Sequence, residues 1–362
     1  MIVLLPALSS ISTRHEMRPL QERLAREYST FSIDWPGFGE KARPQIDWTP
    51  DVYSAFLSFL LTSVVKQPHA TIAAGHAAGY VLKYTASAPE VTPRLVLIAP
   101  TWRGPLPTMM GGHRPFFDRL CHLVDQPVIG PLIYWLNVNP FVVRRMGAGH
   151  VYAGPGYLIG GRLEEKLAVV RAAGARFASV RFVTGRLDPL TSREQFLDCA
   201  RRATAPIMVV YGNATPSRSR AEIEALTALP GIRSVRLPSG KLSVHEEFPD
   251  ATVKAITPFL RTVRPTECSF IVDIGCEHDR CSGCLPEALP KRQLQRWTRP
   301  PKSRQSNCTS VLVLVQGRMV AKSRGRTGKF AQGCAAAAGR SWRCCAAVVK
   351  LFCGSERCVF LY

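Results

Sequence analysis

A doubly wound, mostly parallel α/β sheet is the fold class this 362-residue sequence predicts, and three observations predict it. Short apolar runs alternate with periodic segments of helix length, the signature of βαβ units. The runs are continuously apolar instead of alternating, as strands covered on both faces must be. A small-residue stretch, Gly75-His76-Ala77-Ala78-Gly79, stands where an apolar strand (Thr71 to Ala74) gives way to an apolar helix, so a sharp turn is expected there.

The elements follow in order. Strands are expected at Ile2–Leu5, Thr30–Asp34, Ala70–Ala74 and Leu95–Ala99, with helices near Arg18–Glu27, across Asp51–Val65 and from Ala78 to Ala86. Later come a strand at Ile207–Tyr211, a helix around Arg220–Leu229, a strand at Ser234–Leu237 and a closing helix near Ala251–Leu260. Between Trp102 and about Ala178 the pattern loosens into Gly, Pro and bulky apolar residues, among them Met109, Phe116, Tyr134, Trp135 and Phe141. These are too many large apolar groups for a solvated loop, so residues 103–178 are expected to pack as a helical cap. Two readings stay open, a cap over a ligand cavity and a cap whose residues bury one another.

The domain is expected to span residues 1–264. The segment 265–362 changes character: it holds ten of the twelve cysteines and 16 Lys/Arg against 6 Asp/Glu, with little periodicity outside Val311–Val315. Such a basic, Cys-rich tail lacks the apolar density to fold without a staple and is expected to be poorly ordered. Cys276, His278, Cys281 and Cys284 have ligand types suited to Zn²⁺, but all four fall within nine residues with no second knuckle, so no metal or cofactor is expected. Cys121 and Cys199, alone in the first 264 residues, have no evident partner and read as reduced thiols.

The formal charge of +21 favours weak association with nucleic acid or anionic lipid without making a specific nucleic-acid binder. No apolar run reaches the roughly 20 residues that cross a bilayer. Met1 to Leu8 is apolar but lacks a basic leader, and Ile2 to Leu5 reads as a buried strand instead, so no targeting segment is expected, and the compartment is expected to be soluble, cytoplasmic or plastid-like. Oligomeric state is not legible.

The 75–79 stretch has the frame of a GxSxG nucleophile elbow with Ala77 in the serine's place. With the strand order, it makes the chain resemble the α/β-hydrolase superfamily, and within it the hydrolase-like proteins of cyanobacteria and plant plastids. The resembling stretches are LLPALSSISTR (4–14), IDWPGFG (33–39), AAGHAAGY (73–80), PIMVVYG (206–212) and VHEEFP (244–249). Met1 falls at what the resemblance makes the family's third strand, which implies either missing N-terminal strands or a six-stranded sheet.

The resemblance puts the nucleophile position on Ala77, the catalytic histidine on His245 and the oxyanion amides on Leu8 and Ala78. The acid position after the penultimate strand falls on Thr215. Asp188 imitates that acid turn and is expected either to reach His245 or to cap the helix beginning near Thr191–Arg193. His245 is expected either to act as a base or to rest on a backbone carbonyl. His76, within the elbow, is expected to pack under the cap. Ser9, Ser10 and Ser12, in the loop with Leu8, are expected to satisfy local backbone groups. With alanine for serine a covalent acyl-enzyme is closed. The expected function is a non-catalytic protein, or one that binds an apolar or acyl-bearing small molecule under the cap; the alternative is a hydrolase or lyase that works through His245 with a displaced nucleophile.

Overall fold

The computed structural model describes residues 1–39, 43–88 and 92–261, together with four strands in the segment that follows. The chain divides into two units, Met1–Thr262 and Val263–Tyr362.

In the first unit, β1 (Ile2–Leu5) leads through a 3-10 turn (Arg14–Met17) to α1 (Arg18–Leu24) and β2 (Thr30–Ser32). Then come α2 (Pro50–Phe59), which runs on as a π turn to Val64, β3 (Ala70–Ala74), α3 (Ala77–Ser87) and β4 (Leu95–Ile98). The six strands, completed by β5 (Ile207–Gly212) and β6 (Ile232–Leu237), form one parallel sheet in the order β2-β1-β3-β4-β5-β6. Every residue of β1, β3, β4 and β5 is buried, so the continuous apolar runs do mark central strands covered on both sides. Two apolar layers cover the sheet: Val3, Leu5, Ala73 and Leu97 face one, and Ile2, Leu4, Ile72 and Val96 the other, the period-2 alternation of extended backbone.

Seven helices lie between β4 and β5: α4 (Pro105–Met110), α5 (Phe116–Asp125), α6 (Ile129–Val138), α7 (Pro140–Met146), α8 (Gly160–Arg171), α9 (Ala175–Val183) and α10 (Arg193–Arg202). The insertion is thus helical. Arg181 of α9 grips Asp125 of α5 through two hydrogen bonds of 2.9 and 3.0 Å. Two open cavities flank the insertion, of about 640 and 270 Å³; the first is lined by residues of 141–158 and the second by residues of 131–140 and 170–176. Neither is lined by Ala77, His76 or His245, so the expected ligand cavity above the elbow is not one of these two. After β5 the chain adds α11 (Ser217–Thr227), and after β6 it closes with α12 (Val244–Glu247) and α13 (Pro249–Arg261).

In the second unit the described elements are two antiparallel hairpins, Ser310–Val315 with Arg318–Ser323 and Val349–Cys353 with Glu356–Phe360. The Cys276, His278, Cys281 and Cys284 cluster lies outside the described residues. Among the described residues no helix is long and apolar enough to cross a membrane.

Candidate functional site

The turn at the end of β3 is tighter and earlier than its sequence frame implies. Gly75 has φ of +52° and α3 begins at Ala77, which has an ordinary helical backbone. The left-handed backbone is the one that glycine adopts without a Cβ penalty, so the apex forms where the chain has no side chain. Ala77 is therefore fully buried in the first turn of α3, two residues beyond the apex. This corrects the placement of the apex at Ala77. Where a Cβ on Gly75 would stand, the Cβ of Ala7 is 3.2 Å away, so the loop after β1 closes directly onto the turn. Gly79 is small for another reason: a Cβ there would meet Pro189 at 3.2 Å.

The apex is pinned through its backbone. Gly75 N–H donates to the carbonyl of Ile98 at 2.8 Å, and its own carbonyl accepts from Thr101 at 3.0 Å and Ala78 at 3.2 Å. The Ala78 amide, expected to face an oxyanion, is thus turned back on the elbow. The amides of His76 and Leu8 donate to no other group among the described residues.

Asp188 does not reach for His245. Its carboxylate lies 3.3 Å from Nε2 of His76 and accepts from the Gly104 N–H at 2.9 and 3.1 Å, just before α4. Nor does it cap α10, whose N-cap is Ser192, accepting from Gln195 N–H. Burial pushes the Asp188 carboxyl up to about 8, only partly opposed by Gly104 N–H and Arg103. Burial pulls the His76 imidazole down to about 4. At neutral pH this pair is an uncharged acid beside an uncharged imidazole. Tyr80 completes the clamp by donating to the carbonyl of Leu187 at 2.6 Å.

His245 lies in α12 and is 1% exposed. Its Nε2 stands 3.5 Å from Oε1 of Glu16, which is equally buried, and neither ring nitrogen has an aligned hydrogen bond. The expected rest on a backbone carbonyl is not what the ring does. Glu16 was not legible as a site residue, yet it sits at the centre of the group: its Oε1 also accepts from Ala7 N–H at 2.6 Å, the residue that abuts Gly75. Burial pushes the Glu16 carboxyl up, but His245, Lys166 and the Ala7 amide together outweigh it and hold the group below its ordinary value.

Around this pair the turn 151–157 is fastened to α12. Tyr152 donates to Glu246 at 2.7 Å, Lys166 bridges Glu246 at 3.0 Å, and Glu247 accepts from the amides of Ala153 and Gly154 at 2.8 and 2.6 Å. Thr215, at the expected acid position, spends its hydroxyl on the Gly212 carbonyl at 2.7 Å. Ser9 and Ser12 bond each other at 2.8 Å, and the Ser10 hydroxyl is buried without a partner.

The sequence profile of the Alpha/beta hydrolase family matches residues 2–255, the whole of the parallel sheet. The chain belongs to that family. Among solved structures it is similar to a hydrolase from Pseudomonas aeruginosa PA01, with 20% identity and a TM-score of 0.55 over 72% of this chain and 90% of that one. It is similar also to Cfl2 from Burkholderia cenocepacia (17%, TM-score 0.56, 72% and 88% covered) and to a thermophilic esterase from Thermogutta terrifontis (15%, TM-score 0.54, 72% and 89% covered). Identities this low speak for the fold alone. No curated protein matches the sequence.

Proposed function

We propose that this member of the alpha/beta hydrolase family forms no acyl-enzyme and serves instead as a binding protein for a small acyl- or carboxylate-bearing molecule. The observation that carries the reading is the apex itself: neither Gly75 nor Ala77 bears a hydroxyl, thiol or carboxylate. Of the three serines in the loop after β1, Ser9 and Ser12 are bonded to each other, and the buried Ser10 hydroxyl has no base among its hydrogen-bond partners, so none of them is an activated nucleophile. The His76 and Leu8 amides, without partners among the described residues and on the two segments that meet at Gly75, are the donors that suit a carbonyl or carboxylate oxygen. The narrower kinship to hydrolase-like proteins of cyanobacteria and plastids belongs to this same reading.

Isothermal titration of the full chain with short fatty acids, alongside an ester-hydrolysis assay, tests it. Saturable binding without turnover supports the proposal, and turnover with an acyl burst refutes it.

A second reading is favoured by one observation, the buried Glu16–His245 pair. A carboxylate beside an imidazole can orient the ring, and such a pair can draw a proton from water that attacks a carbonyl held by the two amides. Hydrolysis by that route shows no burst and no covalent intermediate, and Glu16→Gln abolishes it.

A further inference from the structure

The face of α6 carries an apolar stripe with no partner among the described residues of the first unit. Val128, Ile129, Leu132, Trp135 and Leu136 recur at helical spacing and are between 46% and 86% exposed, and Phe141 at the start of α7 adds another ring at 73%. Exposed apolar residues gathered on one face mark an interaction surface, unlike scattered ones.

The charge around the stripe says what it meets. From Gln126 to Leu163 there is not one Asp or Glu, while Arg144, Arg145 and Arg162 all fall within the segment. Arg144 and Arg145 are exposed on α7 and, with His150 and Phe141, line the 640 Å³ open groove beside it. The occupant must therefore be apolar and anionic together. A second copy would set arginines against arginines, and the segment 265–362 is itself basic, with 16 Lys/Arg against 6 Asp/Glu. A bilayer surface with anionic headgroups fits both requirements: acyl chains for Leu132, Trp135 and Phe141, and phosphates for Arg144 and Arg145.

The geometry points to α6 and α7 as a docking surface for anionic membranes, with the apolar stripe inserted at the interface and the arginine groove taking lipid phosphate. The protein would bind such a surface peripherally, without a spanning segment.

Co-sedimentation of the full chain with phosphatidylcholine vesicles, with and without phosphatidylglycerol, tests this. Binding is expected only with the anionic lipid, and inorganic phosphate at moderate concentration does not compete, because a free anion lacks the acyl contacts. Arg144→Gln with Arg145→Gln is expected to weaken binding about thirty-fold, and Leu132→Ser with Trp135→Ser by about tenfold or more. All four side chains are exposed, and circular dichroism is the check that the variants fold. Absence of binding, or binding equal in all variants, overturns the proposal, the second because the basic segment would then be responsible. A dimer in the wild type that Leu132→Ser dissociates, without vesicle binding, also overturns it in favour of a second copy.

Discussion

Nε2 of His245 lies 3.5 Å from Oε1 of Glu16, and both side chains are only 1% exposed. The same carboxylate oxygen takes the amide of Ala7, whose methyl abuts the elbow glycine. One buried carboxylate thus ties the histidine turn, the loop after β1 and the apex into a single unit, and removing it strands a buried ring. Glu16→Gln is expected to cost about 1–3 kcal/mol, the range for leaving buried polar groups such as the Ala7 amide and the ring poorly satisfied. Urea unfolding at pH 7 reads this.

The Glu16 carboxyl is held below its ordinary value in the fold, so its contribution is fully present above about pH 4.3 and is lost as pH falls through the lower folded value. The stability gap between wild type and Glu16→Gln is therefore expected to close as pH is taken from 7 towards 3. A gap that stays constant over that range would mean the carboxylate charge contributes nothing.

Asp188 behaves in the opposite sense. Its folded value is raised to about 8, so the folded state keeps a proton that the unfolded chain gives up near pH 4, and stability falls as pH rises between these values. His76, lowered to about 4, contributes a rise only up to about pH 6.5, which leaves Asp188 as the one of the two that titrates between there and about 8. Thermal melts at pH 6.5 and 8 are expected to show wild type losing stability relative to Asp188→Asn, which carries no proton to lose.

Gly75→Ala places a methyl on a backbone with φ of +52° and 3.2 Å from the Cβ of Ala7. The conformational cost alone is about 1–2 kcal/mol. For a domain of this size that corresponds to a drop of roughly 2–8 °C in Tm by calorimetry.

The fold was legible because burial on both faces forces continuous apolar strands. Leu95 to Ile98 and Ile207 to Tyr211 can be read off directly, and the six strands appear where the runs stand. Boundaries moved by a few residues: β2 stops at Ser32 before Asp34 turns to bond Arg14, and α2 passes into a π turn before Val65. The site was less legible. The frame Gly75-x-Ala77-x-Gly79 counts glycines, yet one of them supplies the left-handed backbone and the other makes room for Pro189. Asp188 sits in an acid-like turn, but what an acid meets depends on the loops folded over it, and those brought His76 and Gly104. Glu16 left no local mark at all, because its partner is 229 positions away in a turn that only the closed sheet brings near.

Whether the elbow holds a nucleophile is read by intact-mass spectrometry after incubation with a fluorophosphonate, on wild type and on Ala77→Ser. With Gly75 at the apex and position 77 buried in the first turn of α3, neither protein is expected to gain the mass of the adduct. A stoichiometric adduct on wild type would reveal a working nucleophile and contradict the absence of an acyl-enzyme. An adduct on Ala77→Ser alone would show that position 77, not 75, holds the apex.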